Sequence, residues 1–266
     1  MILVFKKILL WSSFLMIAPY ALQAQNWEFG ISGGASGYMG DVNPHHVFKY
    51  NDWSAGAMIK YNLNPTWGIK LAYAHANARG DDAKSSNAWQ QSRNIRFHTP
   101  LNELALLMEF NFFKFEPARY RHAYTPYVFG GIGAASFMPK GEFEGETYSL
   151  PDFYTEINPL ASTEEAYQTN TLVAPVGLGF KYSLNGIWSV GLELGYRLAF
   201  TDYLDDVSGV YAGTKAGRIA EHFRDPSVDK IGIPGTQRGD GRQYDSYMTA
   251  QVVFTYTLFR SGCPVW

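Results

Sequence analysis

The sequence predicts an all-β fold, an eight-stranded antiparallel transmembrane β-barrel with a side-chain-filled interior. Eight segments alternate apolar and polar residues with period two, and the connections between them alternate between short and long. Aromatic residues make up 16% of the chain and glycine contributes 26 residues, yet mean hydropathy is −0.19. A barrel wall is apolar only at every second residue, which reconciles abundant aromatics with a hydropathy below zero. Beyond the leader, no segment holds the roughly 18 consecutive apolar residues a membrane helix needs.

The leader itself reads as a secretory signal, residues 1–24. Lys6 and Lys7 precede an apolar run at residues 8–17 (ILLWSSFLMI), and a small residue, Ala24, offers the cleavage point. The leader contains no cysteine, so a lipid anchor is not expected. Residues 25–266 then form one barrel domain. The whole chain carries a formal charge of −2, and loss of Lys6 and Lys7 makes it more acidic. No basic stripe is visible, which argues against a nucleic-acid partner.

The clearest strand is the last, residues 247–259 (YMTAQVVFTYTLF), in which Met248, Ala250, Val252, Phe254, Tyr256 and Leu258 alternate with Thr249, Gln251, Val253, Thr255 and Thr257. That alternation is longer than most soluble strands and covers the roughly 9–11 residues a tilted strand needs to cross a bilayer. The same pattern predicts strands over residues 27–39, 53–63, 67–75, 99–113, 172–182 and 188–198. Residues 125–138 (TPYVFGGIGAASFM) complete the set, although their glycines leave the facing ambiguous. Trp27, Trp53, Tyr61, Trp67, Tyr182 and Trp188 recur near strand ends, where a membrane–water interface favours amphipathic rings.

Three connections are short, at residues 62–65, 114–124 and 183–187. Four are long, at residues 40–52, 76–98, 139–170 and 201–243. A barrel in the outer membrane with both termini in the periplasm places its short turns there and its long loops outside.

Sending the apolar faces to lipid turns Glu28, Glu103, Glu109 and Glu193 inward together with Lys60, Lys70, Lys181 and Arg197. Eight strands enclose a bore that side chains fill, and buried charges are tolerated only when paired. The expectation is a plugged, charge-balanced interior without an open pore.

Nothing in the sequence predicts an enzyme, a cofactor or a small-molecule substrate. No histidine among His45, His46, His75, His98, His122 and His222 accompanies a nucleophile motif of the G-x-S-x-G kind. The His45–His46 pair reads as solvated loop, not a metal site. Acidic clusters at residues 80–82 and 202–206 could hold calcium, but their spacing fits no EF-hand loop and loop acids are the simpler reading. Arg-Gly-Asp occurs at residues 79–81 and 238–240, a short match with little weight for adhesion. Gly131-Ile132-Gly133 reads as strand glycine, since no helix follows. Cys263 is the only cysteine of a chain bound for an oxidising compartment, which leaves an intermolecular disulfide, a reactive thiol or an inert thiol near the terminus.

Several motifs carry a family resemblance: GDVNP (residues 40–44), YNLNP (61–65), GDDA (80–83), RNIRF (93–97), MEFNFF (108–113), YTPYVFGGIG (124–133), PVGLGFKY (175–182), TDYLDDVSG (201–209) and QRGD (237–240). Together they resemble the PorG-like outer-membrane proteins of the Bacteroidota type IX secretion system. The resemblance implies a structural component of that machinery, tethering the periplasmic ring of PorK (a GldK-like lipoprotein) and PorN to the outer membrane. It also implies Cys263 as a covalent tether to PorK. The alternative is a surface adhesin or recognition barrel acting through its outer loops.

Overall fold

All eight alternating segments form strands that close on themselves. The computed structural model describes residues 26–43, 49–116, 123–157, 167–215 and 217–258. The expected signal segment, Cys263, His45, His46 and His122 lie outside the described residues. The wall consists of β1 (Asn26–Met39), β2 (Tyr50–Asn62), β3 (Trp67–Asp81), β4 (Arg96–Asn111), β5 (Tyr124–Phe137), β9 (Asn170–Ser183), β10 (Trp188–Ala199) and β12 (Ser246–Leu258). The long connections hold β6 (Lys140–Phe143), β7 (Glu146–Ser149), β8 (Glu156–Ile157) and β11 (Val210–Tyr211), with two short helices, α1 (Ala88–Arg93) and α2 (Arg218–Arg224). The connection at residues 201–243 is therefore structured, with β11 and α2 inside it.

Each wall strand pairs antiparallel with the next in the chain, and β12 returns to β1. Closure leaves the wall no open sheet edge to protect. The strands run past the expected limits at the long-loop end: β3 continues to Asp81 and β4 begins at Arg96, the two residues being paired. Polar residues such as Asn77, Arg79 and His98 interrupt the apolar alternation there, but the backbone ladder continues regardless of side-chain polarity.

The two short hairpins share one device. Asn64 Oδ1 accepts from the N–H groups of Thr66 and Trp67 at 2.8 and 2.9 Å. Asn185 Oδ1 accepts from those of Ile187 and Trp188 at 3.1 and 2.9 Å. An Asx side chain thus mimics a backbone turn and launches the next strand on a tryptophan.

Outside, the wall is apolar. Ile31, Leu71, Leu104, Leu106, Leu178, Leu192 and Phe254 are among the exposed residues of the mid-strand belt. Aromatic contacts ring its two rims. Trp27–Tyr61, Trp67–Phe110 and Trp188–Tyr256 sit at the short-turn end, and Trp53–His75 and Phe200–Tyr244 at the other. Trp53 and Tyr61 bracket the belt on β2. Their spacing corresponds to about 27 Å along a strand, or about 20 Å of height at a tilt near 40°. That is close to the roughly 25 Å apolar band a barrel presents to hydrocarbon.

The facing of β5, ambiguous in sequence, resolves through its neighbour. Tyr127 and Phe129 point inward and are buried. They pair across to Gly179 and Gly177 of β9, where an added Cβ would lie 2.4 Å from each ring. The glycines of one strand make the space that the rings of the other occupy.

A charge placed in the belt tests its environment. Leu192 is 62% exposed at the middle of β10. Leu192→Arg is expected to lower unfolding stability in phospholipid vesicles by about 2–4 kcal/mol, read from urea titrations.

Candidate functional site

Every inward charge expected from the alternation lies in the bore, in two clusters. Near the short-turn end Lys60 Nζ meets Glu28 Oε2 at 2.6 Å and Glu109 Oε1 at 2.9 Å. Lys181 Nζ lies 2.5 Å from Glu109 Oε1, and Lys70 Nζ lies 4.0 Å from Glu109 Oε2 and 2.6 Å from Glu193 Oε1. Tyr127 donates to Glu193 at 2.8 Å, and Asn62 to Glu28 at 2.7 Å. Three acids thus face three lysines, and the cluster is neutral. Higher in the bore, Arg197 pairs with Glu103 at 3.2 Å, Tyr247 donates to Glu103 at 2.5 Å, and Arg197 also donates to Thr249. This cluster too is neutral.

Above these pairs the bore turns apolar. Tyr38, Phe97, Leu101, Phe137, Val173 and Tyr247 pack with Leu204 and Val207, which descend from the connection after β10. Leu204 is anchored at both ends of its peptide unit: Thr99 donates to its carbonyl at 2.6 Å, and its N–H donates to Asp245 Oδ2 at 3.0 Å. The segment at residues 201–209 therefore stoppers the barrel mouth.

Over the stopper, residues distant in sequence meet in a buried polar knot. Arg93, from the end of α1, forms a two-pronged ion pair with Asp82, at 2.7 Å from Nε and 3.1 Å from NH2. It also donates to the carbonyls of Arg238 at 2.7 Å and Asp41 at 3.1 Å. Arg238 in turn pairs with Glu156 at 3.0 Å and Asp206 at 3.6 Å and donates to the Asp206 carbonyl at 2.5 Å. Asp206 further accepts from Thr155 at 2.6 Å and Tyr167 at 2.8 Å. The motifs GDVNP, GDDA, RNIRF, TDYLDDVSG and QRGD, scattered over 200 residues of chain, supply Asp41, Asp82, Arg93, Asp206 and Arg238 to this one place.

Burial dominates the electrostatics of the knot. It pushes the Asp206 carboxyl up to about 6 against the pull of Arg238. Burial and the neighbouring Asp205 push Asp41 up to about 9, and burial with Asp41 pushes Asp202 up to about 8. Asp205 and Asp245 are raised well above the usual carboxylate range, again by burial first.

The acids at residues 202–206 are thus not free loop acids, because Asp205 and Asp206 are fully buried. Of the two Arg-Gly-Asp triplets, the second has its arginine buried in the knot, whereas Arg79 is half exposed and pairs with Asp52 at 3.2 Å. His75 and His98 bond to Asn102 and Asn77, and His222 packs on Phe143. Arg93 and Glu156 carry no periodic signal. Arg93 is marked only by its motif, RNIRF, and Glu156 by none.

Glu109 is the acid bonded to Lys181, so Glu109→Gln strands that lysine's charge in the bore. The variant is expected to lose about 3–5 kcal/mol of unfolding stability, and adding Lys181→Met should restore much of the loss. Equal stability of single and double variants in urea titrations would rule out the orphaned lysine as the cause. In a planar bilayer the purified protein is expected to show no steady large conductance, since ion pairs and the stopper fill the bore.

No curated protein matches the chain. Among solved structures it is similar to the N-terminal β-barrel domain of Pseudomonas aeruginosa OprF, at 12% identity and a TM-score of 0.41, covering 89% of this chain and 100% of that one. It is also similar to Ail, the attachment invasion locus protein of Yersinia pestis, at 10% identity and a TM-score of 0.41, covering 88% and 99%. Neisserial surface protein A is similar at 11% identity and a TM-score of 0.41, covering 88% and 98%. The family model described as a domain of unknown function, DUF6089, matches residues 6–216. That span takes in seven of the eight wall strands and the stopper, and the chain belongs to the DUF6089 family.

Proposed function

We propose that this protein is an outer-membrane anchor, a structural component of type IX protein secretion that tethers the periplasmic ring of PorK and PorN. The observation that carries this reading is the filled bore. Two neutral ion-pair clusters and an apolar stopper leave no route for solutes, so the barrel acts through what attaches at its ends. The reading assigns it no catalytic step, no nucleic acid and no small-molecule substrate. Support for the family-level part comes from the motifs GDVNP, GDDA, RNIRF, TDYLDDVSG and QRGD, which hold the cap together in three dimensions.

In this reading the termini and the short turns face the periplasm and the cap faces outward. Cys263 follows β12 by five positions in the chain, and the reading puts it on the side where the ring would sit. A disulfide from Cys263 to PorK is the proposed tether.

One feature favours recognition through the outer loops instead: Val228 and Ile233 of the cap are 87% and 64% exposed. The two readings separate on one experiment. Outer membranes run on a non-reducing gel are expected to show a higher-mass band containing this chain and PorK, absent in Cys263→Ser and after reduction. A free Cys263 thiol in assembled membranes would defeat the tether. Normal secretion in Cys263→Ser, with loss of cell binding on Val228→Asp and Ile233→Asp, would favour the recognition role.

A further inference from the structure

We propose that Asp41, Asp205 and Asp245 form a calcium site between the barrel mouth and the cap. One oxygen from each carboxylate lies within 4.8 Å of the others. That span suits oxygens placed about 2.3–2.6 Å from a shared ion. All three residues are buried, at 2%, 0% and 0% exposure.

Three observations point to a ligand beyond the crowding of acids. First, Asp41 Oδ2 is buried and has no hydrogen-bond partner, although its sister oxygen accepts from the Asp240 N–H. Leaving a buried carboxylate oxygen unpaired is costly, and a cation is the partner it fits. Second, the Tyr38 hydroxyl touches both Asp205 Oδ2, at 2.5 Å, and Asp245 Oδ1, at 3.0 Å. It has one proton, so it satisfies one of these two oxygens and leaves the other short. Third, the backbone is drawn tightly around the group. A Cβ on Gly40 would lie 1.9 Å from Asp245 Oδ1 and 2.0 Å from the Tyr38 oxygen.

No ion pair among the described residues engages Asp41, Asp205 or Asp245. The two buried arginines of the knot are committed to Asp82, Glu156 and Asp206. Burial raises all three carboxyls, and Asp205 adds to the rise of Asp41 and Asp245, a penalty that a bound cation removes. The donors are all carboxyl oxygens, anionic once a cation displaces their protons, the chemistry of a hard divalent ion. Calcium's tolerance of irregular, many-oxygen geometry suits a group drawn from three chain segments better than the strict octahedron of magnesium. Asp41 comes from the first long connection, and Asp205 and Asp245 come from the two ends of the last. An ion held by all three would pin the cap to the mouth.

The test uses the full-length protein, folded in detergent and stripped with EDTA, then titrated calorimetrically with calcium chloride and with magnesium chloride. Calcium is expected to bind one ion per chain, tighter than magnesium, and to raise the melting temperature and the protease resistance of residues 201–243. Asp41→Asn and Asp245→Asn, checked for folding by circular dichroism, should weaken calcium binding about tenfold or more. Absence of calcium binding up to about 10 mM would overturn the proposal even if the variants misfold. So would unaltered binding in both folded variants, or a preference for magnesium.

Discussion

The carboxylate of Glu109 sits between three lysines, and the rest of the barrel is arranged around the need it expresses. Eight strands enclose a bore that must be filled by its own side chains, so an inward polar group has no water to turn to. Glu109 reaches from β4 to Lys60 of β2, Lys70 of β3 and Lys181 of β9. Through Glu28, Tyr127 and Glu193 the same cluster enlists β1, β5 and β10, and in the upper cluster Tyr247 beside Glu103 adds β12. Backbone ladders join each strand to its two neighbours, whereas the bonds of Glu109 to Lys60 and Lys181, of Glu193 to Lys70 and of Glu103 to Arg197 and Tyr247 join strands that are not neighbours in the wall. They hold the cross-section as well as the circumference.

Polarity then changes along the axis in a fixed order. Ion pairs fill the part nearest the short turns, apolar side chains fill the mouth, and a buried polar knot lies above. The middle layer matters to the other two. Leu204, Val207, Phe97 and Phe137 exclude water from both sides, so the ion pairs below and the arginine pairs above act in a low-dielectric setting. There a satisfied pair is strong and an unsatisfied group is expensive. The cap therefore continues the barrel's packing problem and is not an ornament on loops. It closes the mouth by the same rule that closes the bore, with Arg93 matched to Asp82 and Arg238 to Glu156 and Asp206.

Much of the barrel was legible in the sequence because period-two alternation states a residue's facing directly. All eight charges assigned inward, from Glu28 to Arg197, lie in the bore on that pattern alone. Legibility failed where facing has no side chain to declare it. On β5 the glycines are silent, and the inward direction of Tyr127 and Phe129 follows from Gly179 and Gly177 on another strand. It failed more thoroughly in the cap. Arg93 meets the carbonyl of Arg238 across 145 positions, and Arg238 meets Glu156 across 82. No local pattern encodes such partners. The acids of residues 202–206 looked like solvated loop acids because loops usually are solvated, and nothing nearby in sequence announces that Leu204 drags them into the mouth.

The balance of charge inside the molecule is also a guide to what lies outside its own chemistry. The lower cluster matches three acids with three lysines, the upper one pairs Glu103 with Arg197, and Arg93 answers Asp82. Arg238 faces two acids, but hydroxyls from Thr155 and Tyr167 complete Asp206, and the N–H groups of Ser208 and Gly209 complete Glu156. In each of these groups the chain supplies its own counterpart. Asp41, Asp205 and Asp245 depart from the pattern, with no ion pair to any of their carboxylates among the described residues and one oxygen left bare. A chain that pairs so many of its buried charges elsewhere has the means to place a base here. Leaving the site acidic is consistent with a counter-charge that comes from solution, and it would make the closure of the mouth depend on the medium the cap faces.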